Sequence, residues 1–272
     1  MSAHAPAAPG FGSSTLSMIR LTALRTLRGR KLRVAAVAAF VVILFPAVVA
    51  LVTDDGDPVT IVTGGIDWGF FRLLVFLLPL LFTSGAIGEE VEARTLHFLA
   101  MRPISRASIA LGKYVVGTGS ALAILWVGLL LLHGIGYAAS PSDMIDQLGA
   151  TMRAGGAASL LLVLYCAIAM FWSTMVPEAG GLLTVIWLGF VEWFGMLLPG
   201  VLRFASMSHF ARELGGLERA GWDPVELMGQ TVVSVPDVEL WICALVVVCE
   251  WAAFLAMALA IMQTAQLRFG KA

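Results

Sequence analysis

Residues 87–113 read IGEEVEARTLHFLAMRPISRASIALGK and place seven charged side chains between two long apolar runs. The whole chain has 272 residues, of which 59% are hydrophobic and only 13% are charged. Because a soluble domain carries about 25% charged residues, this composition predicts a membrane protein. A charged segment that such a protein keeps outside the lipid is a candidate surface for contact with something in the water.

Apolar runs of about 20 residues indicate helices that span the bilayer. The first run begins after 33 residues and is longer than the apolar region of a cleaved signal peptide. The turn at residues 173–178 is very short, which predicts a tight antiparallel pair for the fourth and fifth spans. Six runs predict an all-α, polytopic membrane domain over residues 15–272, with spans at 34–52, 70–88, 114–137, 155–175, 179–199 and 239–263.

Two different segments precede the first span. Residues 1–14 consist mainly of Ala, Pro, Gly and Ser, which predicts disorder. From Thr15 to Lys31, apolar residues recur at helical spacing among basic residues. This pattern predicts an amphipathic helix in the membrane interface, with its arginines among anionic headgroups. The alternative is that this segment is only the basic flank of the first span.

The distribution of basic residues predicts the orientation. With the N-terminus in the cytoplasm, 12 of the 17 Lys and Arg residues fall in cytoplasmic segments, as the positive-inside rule requires. We therefore expect a multi-pass protein of the plasma membrane (the inner membrane of a bacterium) with both termini in the cytoplasm. Residues 87–113 are then cytoplasmic, between the second and third spans. Asp67 and Arg72 fall on the outer side, and the outer loop 200–238 is expected to form a partly helical cap.

Catalytic and metal-binding signatures are missing from the sequence. Gly112-Lys113 lacks the glycine spacing of a Walker A loop, and His97 lacks the second histidine of a zinc protease motif. Ser84 and His133 lie near opposite ends of their predicted spans, which argues against an intramembrane serine protease. We expect His133 to be an ordinary polar residue at a helix end, and we expect no catalytic residue, bound cofactor or metal. The three cysteines are interpreted as small core residues: Cys166, Cys243 and Cys249.

Two carboxylates lie inside predicted spans, Glu192 in the fifth and Glu250 near the middle of the sixth. A charge there costs at least a few kcal/mol, so each side chain must face a cavity, have a partner or be protonated. One interpretation is that both residues line a translocation path or hold a contact between helices. The other is a protonated glutamate that is hydrogen-bonded to a neighbouring backbone or hydroxyl group. The sequence leaves both open.

The segment 87–113 has an acidic beginning and a helix-breaking middle. Glu90 and Arg94 form an i,i+4 pair if the second helix continues past the membrane. Pro103 ends that helix, and Ser105 is placed to cap a new helix that runs toward Lys113. The result is a short, charged helical elbow.

An apolar triplet of Leu96, Phe98 and Leu99 lies beside these charges. Apolar side chains in such a place favour a docking surface over a solvated loop. Arg102 and Arg106 are explained equally well as charge on the cytoplasmic side.

The order Gly88-Glu89-Glu90-Val91-Glu92-Ala93-Arg94-Thr95-Leu96, followed by Arg102-Pro103-Ile104-Ser105-Arg106 and Gly112-Lys113, resembles the signature of type-2 ABC transporter permeases. In that family the signature lies between the second and third of six helices. The basic helix before the first span and the long outer loop before the sixth also resemble the family, so the likeness covers nearly the whole chain. Arg94 departs from the pattern, because many members carry glycine there.

The resemblance implies the membrane subunit of an ATP-driven exporter. Such permeases pair as dimers, with a second copy or a homologue, and bind two cytoplasmic ATPase subunits that hold the ATP and Mg. The segment after the second span serves as the coupling helix, so this chain is not expected to be the enzyme. A membrane anchor or assembly factor without transport is the alternative. The predicted ATPase-coupling residues are Glu89, Glu90, Glu92, Arg94, Thr95, Leu96, Phe98, Leu99, Pro103, Ser105, Arg106 and Lys113.

Overall fold

The computed structural model describes residues 11–52, 57–92, 105–138, 140–195, 204–217, 226–227, 230–231 and 238–264. Within these residues the chain is helical, apart from an antiparallel pair of two-residue strands, β1 (Glu226–Leu227) and β2 (Gln230–Thr231). An all-helical membrane architecture agrees with the sequence prediction.

The N-terminal region forms two helices joined by a tight turn, α1 (Phe11–Leu27) and α2 (Arg30–Val52). Helix α2 contains the whole of the predicted first span. Helix α1 begins four residues before the predicted start at Thr15, and Ser14 is buried. The predicted disorder therefore does not extend through residues 11–14, because these residues already form the first turn of a packed helix.

The second predicted span is one composite helix, Pro58–Phe82. It consists of α3 (Pro58–Gly64), a π-helical segment (Gly65–Leu74) and α4 (Val75–Phe82). It begins 12 residues before the predicted start at residue 70. The Asp57 carboxylate caps it by accepting from the amides of Val59 and Thr60, both at 3.3 Å. Asp67 and Arg72 therefore lie within this helix and not in a preceding loop.

A turn over residues 83–87 leads to the short helix α5 (Gly88–Glu92). The next described helix is α6 (Arg106–Gly136), which contains most of the predicted third span. Ser105 caps α6, because its hydroxyl oxygen accepts from the Ser108 amide at 3.1 Å. The predicted cap at Ser105 is confirmed.

The fourth and fifth spans form an antiparallel pair, as their short connection predicts. The short helix α7 (Pro141–Asp146) leads into α8 (Leu148–Met175), and α9 (Gly180–Trp187) follows after a four-residue turn. Helix α9 continues as a second π-helical segment, Leu188–Trp193. The fifth span was predicted over residues 179–199, and the structure describes it as far as Gly195.

The predicted outer loop contains a helix, α10 (Met207–Gly215), and α11 (Leu240–Thr264) occupies the place of the predicted sixth span. Helix α10 packs between α8 and α11 and buries Phe210, Ala211 and Arg212. The prediction of a partly helical cap is confirmed in its helical part. The helix is embedded in the bundle because it carries both apolar and charged side chains that find partners there.

Helix α8 is the centre of the bundle. Residues 164–169 are all fully buried, which means that this part of α8 is covered on every side. It contacts α4, α6, α9, α10 and α11. The Tyr114 hydroxyl of α6 donates to the Val163 carbonyl at 3.0 Å and accepts from the Trp251 indole of α11 at 2.8 Å, so it joins three helices.

Among the described residues, four helices are long and apolar enough to cross a membrane: Pro58–Phe82, Arg106–Gly136, Leu148–Met175 and Leu240–Thr264. They correspond to the predicted second, third, fourth and sixth spans. The shorter apolar helix Gly180–Trp193 occupies the place of the fifth, and α2 that of the first. The total of six spans stays a prediction.

We expect Gly88→Ala to destabilise the protein by about 2 kcal/mol, because overpacking of a close contact costs about 1–3 kcal/mol. A Cβ at residue 88 would lie 2.3 Å from the carbonyl oxygen of Pro177, which belongs to the turn between α8 and α9. Gly134→Ala is the matched control, since a Cβ there meets nothing within 4 Å. Thermal unfolding in mild detergent checks the prediction, and equal melting temperatures for the two variants would contradict it.

Candidate functional site

Five charged side chains from four helices meet where the composite helix ends. Glu90 of α5 lies 2.6 Å from the Lys113 ammonium of α6 and 3.6 Å from the Arg25 guanidinium of α1. Glu89 pairs with Lys31 of α2. We call these five residues the charge cluster. It holds α5 against three other helices.

The burial of these side chains separates strong contacts from weak ones. The Glu90 and Lys113 side chains are 8% and 9% exposed, whereas the Arg25 side chain is 74% exposed. A buried pair loses much of its stability when one partner is removed, whereas an exposed pair contributes about 0–1 kcal/mol. The contact between Glu90 and Lys113 is therefore the main polar attachment of α5.

The local sequence brings α5 to this place. The amide of Ile87 donates to the Ser173 hydroxyl at 3.0 Å, and the ammonium of Lys113 also donates to the Ala86 carbonyl. Gly88 permits the close approach of the Pro177 carbonyl. The turn before α5 is thus attached both to α6 and to the end of α8.

The structure describes only part of the predicted coupling set. Glu89, Glu90 and Lys113 lie together in the charge cluster, Ser105 caps α6, and Arg106 begins it. Glu92 belongs to α5, but its side chain is outside the description. The predicted residues that lie outside the described residues are Arg94, Thr95, Leu96, Phe98, Leu99 and Pro103.

Arg25 and Lys31 belong to the charge cluster, although the sequence pattern assigned them to lipid headgroups. Their charge alone gave no indication of a protein partner. The available signal was the excess of acidic residues at Glu89 and Glu90, which required cations from elsewhere in the chain.

Glu192 is 1% exposed and binds the start of α10. Its Oε2 accepts from the Tyr165 hydroxyl at 2.9 Å and from the Ser208 amide at 3.1 Å. The Ser206 hydroxyl lies 2.8 Å from the Glu192 carbonyl and 3.2 Å from Oε2. A carboxylate at this position satisfies a free amide of the first helical turn and complements the helix dipole.

Glu250 of α11 lies close enough to Glu192 and Tyr165 to interact with them electrostatically, and it is partly exposed. The structure therefore places the two predicted intramembrane carboxylates in one region of the bundle. The observed contacts of Glu192 match the hydrogen-bonded interpretation in this conformation. A role in a translocation path stays a prediction for both residues.

The other end of α10 is held by two more charged contacts. The Arg212 guanidinium lies 2.7 Å from Asp67, which also pairs with Arg72 at 3.4 Å. All three side chains are at most 10% exposed. Arg72 also lies over the Trp68 ring, 3.9 Å from its centre.

Arg153 of α8 completes this arrangement. Its Nε donates to the Leu214 carbonyl at 2.8 Å, at the end of α10, where the last carbonyls need donors. Helix α10 is thus attached by Glu192 at its start and by Asp67 and Arg153 at its end. Both acidic partners lie in π-helical segments, a helix form that occurs frequently at functional sites.

The remaining candidate residues have structural partners. His133 is buried, with Nδ1 2.9 Å from the Thr151 hydroxyl and Nε2 3.0 Å from the Met144 carbonyl, while Ser84 donates to Leu80. Within the described residues, no group of His, Cys, Asp and Glu is arranged to hold a metal ion. Cys166 and Cys243 are buried as predicted. Cys249 is exposed, so its assignment to the core is wrong: it lies on the outward face of α11.

The family model described as ABC-2 family transporter protein matches residues 14–261. The matched stretch begins in α1 and ends in α11, so it includes the charge cluster and the attachments of α10. No curated protein matches the chain.

We expect Lys113→Met to destabilise the protein by about 3 kcal/mol, because it removes the buried cation that lies 2.6 Å from the buried Glu90 carboxylate. Arg25→Met is the control at the same carboxylate and should cost less than about 1 kcal/mol. The double variant Lys113→Met/Glu90→Gln should recover most of the loss, because no unpaired buried charge remains. Unfolding of the purified chain measures all three, and equal losses for Lys113→Met and Arg25→Met would reject this assignment.

We expect Glu192→Leu to loosen α10, because the Tyr165 hydroxyl and the Ser208 amide lose their acceptor, and a buried donor without a partner costs about 1–3 kcal/mol. Glu192→Gln retains an acceptor oxygen and should retain most of the stability. Hydrogen exchange of residues 207–215 is the measurement, with Glu250→Leu as the control on the neighbouring helix. Unchanged exchange in Glu192→Leu would show that this contact does not hold α10.

Proposed function

The chain belongs to the ABC-2 family of transporter proteins, and from this membership we propose that it is the permease subunit of an ATP-driven exporter. It would pair with a second permease, identical or homologous, in the plasma membrane and bind two cytoplasmic ATPase subunits. ATP and Mg would be held by those subunits. The permease would couple ATP hydrolysis to substrate translocation or to mechanical work across the membrane.

The charge cluster is the observation that carries this proposal. The predicted coupling segment continues from α5 to Ser105 in the sequence; the charge cluster holds α5 before it, and Ser105 caps α6 after it. A force on residues 93–104 would therefore act directly on α1, α2 and α6. Rigid attachment at both ends suits a segment that transmits movement better than it suits a passive loop.

The positions of the charged residues also support the proposed topology, with both termini in the cytoplasm. The positive-inside rule assigns Arg25, Lys31 and Lys113 to the cytoplasmic side, and all three belong to the charge cluster. It assigns Arg212 to the outer side, and Arg212 pairs with Asp67. Residues grouped on one side by the distribution of charge are thus neighbours in the structure.

The first test is co-purification with an ATPase that carries Walker A and B motifs and is encoded in a neighbouring reading frame. We expect Leu96→Asp, Phe98→Asp and Leu99→Asp together to reduce its recovery about tenfold or more, because interface anchors are each worth about 2 kcal/mol or more. Ile145→Asp is the control, since Ile145 is 76% exposed and lies on α7, beyond the other end of α6. Retained binding in the triple variant would reject the docking surface.

The membrane-anchor alternative is separated from the exporter by ATP turnover. The exporter predicts that reconstitution with the permease changes the ATPase rate, and that Glu90→Gln alters this change while the ATPase stays bound. An anchor predicts binding with the same ATPase rate as the free subunit. The measurement is ATP hydrolysis by the complex in liposomes, with the isolated ATPase as reference.

A further inference from the structure

An apolar groove of about 600 Å³ runs between α1, α2 and α6. Helix α1 contributes Ile19, Ala23 and Leu27, one on each successive turn. On α6 the lining extends from Val115 to Leu131. At 1.5 Å per residue this is about 24 Å, more than half of the ~30 Å hydrocarbon thickness of a bilayer. The groove is long enough for an acyl chain of one leaflet.

The groove opens outward and not into the bundle. Phe40 and Val127, from its two long walls, are 62% and 59% exposed. Ser120 is the one side chain with a polar group among the residues that line it in the described part of the chain. The groove therefore offers apolar surface and almost no hydrogen-bonding partner, which suits a hydrocarbon chain.

Three exposed arginines are sequence neighbours of residues that line the groove. Arg20, Arg28 and Arg33 each directly follow a residue that lines it, namely Ile19, Leu27 and Leu32. None of the three forms an ion pair with another described residue, in contrast to Arg25 and Lys31, which belong to the charge cluster. Their charge is thus available for a ligand, and guanidinium groups bind phosphate through paired hydrogen bonds.

We propose that this groove binds one molecule of an anionic phospholipid. One acyl chain lies between α1, α2 and α6, and the phosphate lies against Arg20, Arg28 and Arg33. The charge complementarity favours this occupant over a second copy of the chain, because a protein partner would need to bring acidic residues into the interface. The lipid would connect α1 to the two helices that it meets. This inference is independent of the transport function.

The acyl part of the proposal is tested by filling the groove. Gly119 lines it, and a Cβ at this residue meets nothing within 4 Å, so Gly119→Leu adds a side chain that starts in open space at the groove. Each methylene group of the acyl chain that is excluded from the groove weakens the lipid affinity about fourfold. Exclusion of two methylene groups therefore lowers the affinity about fifteenfold. Gly134→Leu is the matched control on the same helix, at an equally open position that does not line the groove.

The experiment uses the full chain in nanodiscs of equal parts phosphatidylglycerol and phosphatidylcholine, followed by native mass spectrometry. We expect one retained phosphatidylglycerol on the unmodified chain and on Gly134→Leu, and its loss from Gly119→Leu. Ala123→Leu, one turn further along the groove, is the second variant if Gly119→Leu does not fold. Thermal unfolding of each variant establishes folding.

The headgroup part is tested with Arg20→Gln/Arg28→Gln/Arg33→Gln. Each basic residue near an anionic surface strengthens binding about fivefold. The preference for phosphatidylglycerol over phosphatidylcholine should therefore fall by at least that factor in the triple variant. The corresponding lysine variant keeps the charge and should keep the preference. The proposal would be overturned if Gly119→Leu and Ala123→Leu both retained the lipid unchanged, or if the unmodified chain retained the two lipids equally. It would also be overturned if these two variants lost a dimer while retaining the lipid, because the groove would then bind a second copy of the chain.

Discussion

A charge buried among apolar helices must find a partner within the protein, and this requirement organises the irregular parts of the structure. Glu90 meets Lys113, Asp67 meets Arg212, and Glu192 meets the start of α10. In each case the partner belongs to a different element. Four other helices pack against α8, namely α4, α6, α9 and α11, whereas the short helices α5 and α10 are also held by charged contacts.

The composite helix joins the two polar regions. Asp67 lies in its π-helical segment, and the charge cluster lies just beyond its other end at Phe82. Fifteen residues separate Asp67 from Phe82, which corresponds to about 22 Å of helix. A displacement of α5 would therefore be transmitted along the composite helix to Asp67, which holds α10.

Much of the fold follows from the sequence, because some features depend only on neighbouring residues. Apolar runs predict the long helices, Ser105 predicts the start of α6, and the short turn after Met175 predicts the pairing of α8 with α9. The start of the composite helix was predicted 12 residues too late, because the charges of Asp67 and Arg72 are typical of a loop outside the membrane. The pairing of Asp67 with the distant Arg212 explains why a helix tolerates them. In the candidate site, the acidic residues and Lys113 were predicted. Arg25 and Lys31 were assigned to lipid, since no local pattern distinguishes an arginine that meets a headgroup from one that meets a glutamate.

Five of the six basic residues between Arg20 and Arg33 thus fall into two groups. The charge cluster has three cations and two carboxylates, so most of its charge is neutralised within the protein. Arg20, Arg28 and Arg33 have no such partner among the described residues. Positive charge beside a membrane is usually attributed as a whole to the lipid surface. Helix α1 reaches the charge cluster through Arg25 and lines the apolar groove through Ile19, Ala23 and Leu27.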